Sequence, residues 1–224
     1  MCTISAILVT PKDITPEIMK QLVQSPGQLP HKSDLANFLN ENPPVKIPLS
    51  PNHFFQFNTS LITREERDTY FELSTEVDCT LLYSRLIGQL IYPASYGITE
   101  NSYHYLWDSI IKNTIEMFGK HNASLPILEF YRNTSSTGPD MVVLVRNTCL
   151  FRGEEKSREE AGDPSRELVD KFNDWTYGDA PYIFAYYAVG VHVTFVILHK
   201  PENKSTKKRK LSVYSERIAE FDLE

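Results

Sequence analysis

The pattern of apolar and polar positions is clearest in the second half of the chain, where it predicts β-strands. Residues 140–145 are almost all β-branched or apolar, and a second run starts apolar at Cys149 and ends charged at Lys156. Arg146-Asn147-Thr148 supplies turn-forming residues between them, so the two runs predict a β-hairpin with a three-residue loop. Further strands are predicted at residues 126–131, 181–189 and 191–198, with a last strand around 211–214.

The pattern in the rest of the chain predicts helices. Apolar residues at spacings of three and four indicate helices over residues 15–23, 33–39, 63–90, 99–118 and from 163 onward. Thr63 and Glu66 have the spacing of a capping box, and Asp163 followed by Pro164 is typical of a helix start. The prolines between residues 43 and 51 predict irregular structure.

Together these elements predict an α/β protein in two parts. Residues 1–95 are expected to form a mainly helical N-terminal region. Residues 96–224 are expected to form a second part that contains the predicted strands together with helices.

The predicted hairpin brings charged residues together. If Val145 pairs with Cys149, Asp140 lies directly opposite Glu154, with about 5 Å between the two Cβ atoms. Side chains alternate along a strand, so Lys156 shares the face of Glu154. Two opposed carboxylates repel each other unless a cation lies between them, and oxygen ligands suit Mg²⁺ or Mn²⁺. Asp140 and Glu154 are therefore candidate metal ligands, with Lys156 beside them.

Composition limits the range of partners. The formal net charge is −6, which argues against general coating by nucleic acid, so any such binding has to be local. One basic run, Lys204 to Lys210, offers candidate nucleic-acid contacts at Lys207, Lys208, Arg209 and Lys210. The same run is equally typical of a nuclear localisation signal or of a solvated loop before the last strand.

Other classes of protein are disfavoured. The three cysteines are odd in number and lack metal-ligand spacing, which argues against a disulfide framework or a zinc site. No signal peptide or membrane-spanning run is apparent, so we expect no membrane partner and a soluble, intracellular chain. His192 and His199 have no companion ligands at metal-binding spacing and are expected to be structural or solvent-facing.

The spacing of the acidic residues resembles a known nuclease pattern. Pro139-Asp140, thirteen residues, then Glu154-Glu155-Lys156 is similar to the motif of the PD-(D/E)XK, or restriction-endonuclease-like, superfamily. That resemblance implies a restriction-endonuclease-like α/β fold with a mixed central sheet flanked by helices. It also implies Mg²⁺-dependent phosphodiester hydrolysis, in which Asp140 and Glu154 hold the metal and Lys156 positions the attacking water. The alternative is that residues 138–140 form a turn entering a strand and residues 154–156 a solvated strand end.

The superfamily resemblance also implies an acidic metal ligand on the helix before the hairpin, and Glu100 is the candidate. It precedes Tyr103 and Trp107 by three and seven residues, so it lies on the apolar side of its helix, towards the sheet. The alternative is that Glu100 only complements the helix dipole. Glu129, inside a predicted strand, is a second candidate ligand.

The region from about Thr99 to Leu223 further resembles the nuclease-type domain of Crinkler-related effectors of filamentous microbes. The residues that carry this resemblance are Phe151-Arg152-Gly153-Glu154-Glu155-Lys156, Glu167-Leu168 with Lys171, Trp175-Thr176-Tyr177-Gly178, Pro181-Tyr182-Ile183-Phe184-Ala185-Tyr186, Gly190 and Phe221-Asp222-Leu223. The resemblance implies action on host or self DNA in a nucleus. The Leu-Phe-Leu-Ala-Lys type of leader found in secreted members is not apparent, so export by that route is not predicted.

The resulting functional hypothesis is a metal-dependent nuclease, with Asp140, Glu154, Lys156 and Glu100 as catalytic residues. DNA is the expected substrate, with RNA as the alternative, in the nucleus or otherwise in the cytoplasm. The alternative is an inactive nuclease-fold module that binds nucleic acid or a host nuclear protein. A homodimer is compatible with either hypothesis.

Overall fold

A computed structural model describes residues 10–23, 29–57, 62–88, 98–121, 127–133, 138–172, 177, 179–200 and 213–223. The chain divides into two compact units, residues 1–25 with 42–93 and residues 26–41 with 94–224. No helix in the described ranges is both long enough and apolar enough to cross a membrane.

Helices and strands alternate along the described residues. The α-helices are α1 Thr15–Leu22, α2 Leu35–Leu39, α3 Pro51–Phe54, α4 Arg64–Tyr70, α5 Thr80–Leu82, α6 Glu100–Trp107, α7 Asn113–His121 and α8 Pro164–Asp170. The strands are β1 Lys12–Asp13, β2 Ile47–Leu49, β3 Phe71–Leu73, β4 Val77–Asp78, β5 Leu128–Arg132, β6 Met141–Val145, β7 Thr148–Lys156, β8 Ile183–Val189, β9 His192–His199 and β10 Tyr214–Asp222. A π-helical turn, Asp108–Lys112, joins α6 to α7, and another, Tyr83–Ile87, continues α5.

The first unit contains short strands as well as helices. Strand β1 pairs in parallel with β4, and β2 pairs in parallel with β3. The prediction of one helix over residues 63–90 is therefore wrong for Phe71–Leu73 and Val77–Asp78, which form β3 and β4. The capping box forms as predicted, since Thr63 N donates to the Glu66 carboxylate at 2.8 Å and Glu66 N donates to Thr63 Oγ1 at 3.2 Å. The helix nevertheless ends at Tyr70, because the following backbone pairs with β2 instead of continuing its own helical ladder.

The proline-rich stretch is also more regular than predicted. Pro48 lies within strand β2, and Pro51 begins helix α3. A proline is tolerated at a helix start because the first helical N–H groups have no partner inside the helix. The N-terminal unit thus contains two short parallel strand pairs beside its helices.

The second unit is built on one six-stranded sheet in the order β10-β9-β8-β7-β6-β5. All neighbours are antiparallel except β7 and β8, which run parallel and are joined by α8. This confirms a mixed central sheet. Strand β10 extends to Asp222, well beyond the last strand predicted around residues 211–214, of which 211 and 212 lie outside the described residues.

Helices cover both faces of this sheet. Residues of α6 and the π-helical turn pack on one face: Tyr103, Leu106, Trp107 and Ile111 contact Met141, Val143, Tyr186 and Ala188. On the other face, Leu168 of α8 and Phe172 pack on Ile183, Ala185, Val196 and Leu198. The Asp163 side chain caps α8, accepting from Ser165 N at 3.0 Å and Arg166 N at 3.3 Å. The sheet thus lies between two helical layers.

The hairpin of β6 and β7 turns one residue earlier than predicted. Its loop is the two residues Arg146 and Asn147, both with positive φ (46° and 65°), as a tight primed turn requires. Val145 therefore pairs with Thr148, not with Cys149. The register shifts by one residue after Val143, so that Met141 pairs with Gly153. This bulge restores the predicted register at the charged end of the hairpin.

Candidate functional site

Two buried carboxylates meet where β6 begins. Asp140 lies one residue before β6, and Glu154 lies one residue beyond the pairing of Met141 with Gly153, so the two side chains share a face of the sheet. Glu154 is completely buried and Asp140 is 7% exposed. Asp140 Oδ2 accepts a hydrogen bond of 2.7 Å from Glu155 N, which fixes this carboxylate against β7.

An ammonium group links the two carboxylates. Lys171 Nζ, at the end of α8, lies 2.6 Å from Glu154 Oε2 and 3.9 Å from Asp140 Oδ1. The same nitrogen lies 3.2 Å from Glu167 Oε2, one helical turn earlier. Helix α8, which connects β7 to β8, therefore places the positive charge of Lys171 and the negative charge of Glu167 beside the predicted carboxylate pair.

Lys156 and Glu100 extend the cluster. Lys156 Nζ lies 3.4 Å from Glu167 Oε2 and 3.9 Å from Glu100 Oε2. Glu100, in the first turn of α6, also lies 3.5 Å from His104 Nε2. The structure thus places all four predicted catalytic residues in one continuous set of charged contacts, with Glu100 reaching it through Lys156.

Glu155 points to the opposite face and belongs to a second buried network, which meets the first at His104. Its Oε1 lies 2.8 Å from Arg132 Nη1 and accepts a hydrogen bond from the Tyr186 hydroxyl. Its Oε2 lies 3.6 Å from His104 Nε2. Gly153 makes room for this arrangement, because a Cβ there would lie 2.0 Å from the Tyr186 ring. Glu155 therefore ties β7 to β5, β8 and α6.

Burial dominates the electrostatics of Glu154. Desolvation raises the pKa of Glu154 to about 8, with a further rise from the Asp140 carboxylate that is opposed by the Lys171 ammonium. Burial and the Asp140 carboxylate likewise raise the pKa of Glu100. Although desolvation opposes the effect, the carboxylates of Glu167, Asp140 and Glu100 raise the pKa of Lys156. Lys156 is therefore an ammonium at neutral pH and supplies positive charge to the site.

The raised pKa of Glu154 gives a testable pH dependence of stability. The folded chain holds the Glu154 proton more tightly than the unfolded chain, so this contribution is complete below pH 4.5 and is lost as the pH rises through about 8. Glu154→Gln should remove that part of the slope, on the order of 5 kcal/mol between the two limits. Urea unfolding in EDTA at a series of pH values measures it. An unchanged slope in the variant would contradict the assignment.

The ligand atoms in this cluster are of the kind that a hard divalent cation prefers. Asp140 and Glu154 offer carboxylate oxygens, and Glu154 Oε1 has no hydrogen-bond partner among the described residues. Within those same residues, no group of three or more His, Cys, Asp or Glu side chains is arranged to hold a metal ion. Mg²⁺ is commonly bound through one or two carboxylates, with water and phosphate oxygens completing its shell, so a pair of carboxylates is sufficient.

The other candidate residues lie elsewhere. Glu129 accepts a hydrogen bond of 2.6 Å from the Tyr131 hydroxyl on the outer strand β5 and makes no described contact with Asp140 or Glu154. His192 and His199 lie beside carboxylates of β10, Asp222 at 3.2 Å and Glu216 at 3.7 Å. Lys207, Lys208, Arg209 and Lys210 lie outside the described residues.

The sequence pattern does not predict that Lys171 directly contacts the Asp140 and Glu154 carboxylates. In the sequence, Lys171 is connected with the site only through the family resemblance. The available signal was its spacing: Lys171 follows Glu167 by four residues on a helix whose start is fixed by the Asp163 cap. That spacing indicates a pair on one helix face, but the sequence alone does not show that this face lies over β7.

Comparison with known proteins gives one relative. No protein-family model and no solved structure matches the chain. The chain is 31% identical over 185 residues to Crinkler effector protein 8 of Phytophthora infestans. The match covers 80% of this chain and 30% of that protein, so the chain spans about a third of the length of its relative. Over most of its length the chain is thus similar to a Crinkler-type effector, in agreement with the resemblance seen in its sequence.

Proposed function

We propose that the chain is an effector nuclease with a restriction-endonuclease-like fold that hydrolyses phosphodiester bonds of DNA with the help of Mg²⁺ or Mn²⁺. The observation that carries the proposal is the buried pair Asp140 and Glu154, which share the Lys171 ammonium at the end of two paired strands. Lys156 lies on the same face of β7 as Glu154. Paired carboxylates with an adjacent lysine suit chemistry in which negative charge develops on phosphate.

Each residue has a defined part in this proposal. Asp140 and Glu154 would hold the metal ion, and Glu100 orients Lys156 through their 3.9 Å contact. The chemistry that such an ion supplies when bound is neutralisation of phosphate charge and a lower pKa for water. Lys156 is protonated, so it acts as a hydrogen-bond donor that orients a water molecule or a phosphate oxygen and not as a general base.

Substrate contact beyond the reacting phosphate is assigned to the basic run. Lys207, Lys208, Arg209 and Lys210 form a dense positive segment in a chain whose net charge is −6. Phosphate contacts of this kind release counterions, so affinity for DNA should fall steeply as salt is added. The same run would direct the effector to a nucleus.

Cleavage of supercoiled plasmid by the purified chain tests the proposal. We expect nicking with Mg²⁺ or Mn²⁺ and none with EDTA. Lys156→Met should lower the rate about 100-fold, because a positive charge aimed at the reacting phosphate is lost. Lys120→Met, at an exposed lysine 3.8 Å from Glu116, is the matched control and should cleave normally. A folded wild-type chain that fails to cleave with either metal would overturn the nuclease proposal.

One observation favours a second candidate, a nuclease-fold module that binds nucleic acid or a protein partner without cleaving it. Lys171 Nζ, 2.6 Å from Glu154 Oε2, already supplies a cation to the carboxylates. In such a module DNA binding would be equal with Mg²⁺ and with EDTA. It would also be unaffected by Asp140→Asn.

A further inference from the structure

Lys171 occupies the position at which a cation would join the two metal-binding carboxylates. Its Nζ lies within 4 Å of Glu154, Asp140 and Glu167, and its side chain is only 12% exposed. Two buried carboxylates this close repel each other when both are ionised, and the ammonium offsets that repulsion and so favours the ionised pair. In the metal-free chain, the positive charge of Lys171 therefore offsets the negative charges of Asp140 and Glu154, as a bound metal ion would.

An ammonium and a metal ion that share one carboxylate oxygen repel each other strongly at these distances. Mg²⁺ binds carboxylate oxygens at about 2.0–2.1 Å. Lys171 Nζ lies 2.6 Å from Glu154 Oε2, so a dication on that oxygen would face a full positive charge at close range within a buried site. Even an ion on the open Oε1 would meet the repulsion of the ammonium across one carboxylate group.

Lys171 has an alternative partner to which it can move. Glu167 lies one helical turn earlier, 3.2 Å from Nζ, and its side chain is 31% exposed, compared with 0% for Glu154. Lys171 is the C-cap residue directly after α8, where positive charge is favoured by the helix dipole. A change of side-chain torsion would leave Lys171 paired with Glu167 alone and free Glu154 Oε2.

We propose that Lys171 is a built-in competitor of the metal: its ammonium holds Asp140 and Glu154 together in the metal-free chain and moves to Glu167 when a divalent cation binds. The inference rests on the proposed metal site, but it concerns the affinity for metal and not the cleavage step. Lys171 is thus a positioning residue that sets the metal concentration at which the site fills.

Calorimetric titration with Mn²⁺ tests this competition directly. Lys171→Met and Lys171→Gln should each bind Mn²⁺ about tenfold more tightly than wild type, because the competing charge is gone. Gln keeps a hydrogen-bond donor for Glu154, so it serves if the Met variant does not fold. Arg166→Gln removes an exposed cation from the same helix and should leave the affinity unchanged.

Melting temperature provides the second measurement. In EDTA both Lys171 variants should melt below wild type, and Mn²⁺ should raise their melting temperature by more than that of wild type. Variants that bind Mn²⁺ no tighter than wild type would overturn the inference, as would a complete lack of Mn²⁺ binding by all three chains. Tighter binding in the variants without plasmid cleavage by any chain would support the inference and count against the nuclease proposal alone.

Discussion

Asp140→Asn is expected to lower the rate of plasmid cleavage at least about 100-fold while leaving the chain folded. Asparagine retains an oxygen that can accept the hydrogen bond from Glu155 N, which is 2.7 Å long in the wild-type chain. It loses the negative charge that would hold the metal ion beside Glu154. The change therefore separates the chemistry of this position from its structural contact. The rate constant for nicking, measured over a range of Mn²⁺ concentrations, gives the result.

Two comparisons sharpen this prediction. Asp170→Asn alters an exposed carboxylate at the end of α8, which pairs only with Arg166 among the described ion pairs, and should cleave like wild type. Loss of a ligand should weaken metal binding, so higher Mn²⁺ concentrations should restore part of the rate in Asp140→Asn. If that variant cleaves within a few-fold of wild type at low Mn²⁺, Asp140 is not a metal ligand.

Glu155→Ala is expected to lower the free energy of unfolding by about 3–5 kcal/mol. Glu155 is 1% exposed and is the partner of Arg132 at 2.8 Å. Among the described ion pairs, alanine leaves this largely buried guanidinium with only the Asp108 carboxylate as counter-charge. It also removes the acceptor of the Tyr186 hydroxyl. Chemical denaturation of the purified variant measures the loss, with Glu159→Ala on the exposed loop after β7 as the control that should change little.

A double-mutant cycle identifies the cause of that loss. If the unpaired charge of Arg132 is responsible, Arg132→Met combined with Glu155→Ala should be less destabilising than the sum of the two single changes. Strict additivity would show that the two side chains do not depend on each other. Plasmid cleavage per folded molecule should change far less in Glu155→Ala than in Asp140→Asn, because Glu155 lies on the opposite face of β7.

The hairpin shows how an incorrect detail can leave the important geometry intact. The sequence pattern indicated a three-residue loop, but the turn uses only Arg146 and Asn147. The lost residue is recovered by the bulge after Val143, so Asp140 still lies beside Glu154. Alternation of side chains fixes the face of each residue, and burial of one face makes register errors costly. This is why the charged end of the hairpin could be predicted.

The N-terminal unit was less predictable for a physical reason. Residues 63–90 have helical spacing of apolar residues, but Phe71 to Leu73 gain a parallel pairing with Ile47 to Leu49. A local pattern contains no information about a partner strand more than twenty residues away. The same limit hid Lys171, whose contact with Glu154 depends on how α8 packs over the sheet.

The two adjacent glutamates on β7 have a consequence for strand slippage. If β7 slipped by one residue, Glu155 would take the place of Glu154, and the site would keep its carboxylate. No lysine would replace Lys156, because Ser157 would take its position. Arg132 would at the same time lose Glu155 from the other face and would meet Lys156 in its place. Lys156 in the site and the pair of Glu155 with Arg132 on the other face therefore make the native register of this strand chemically unique.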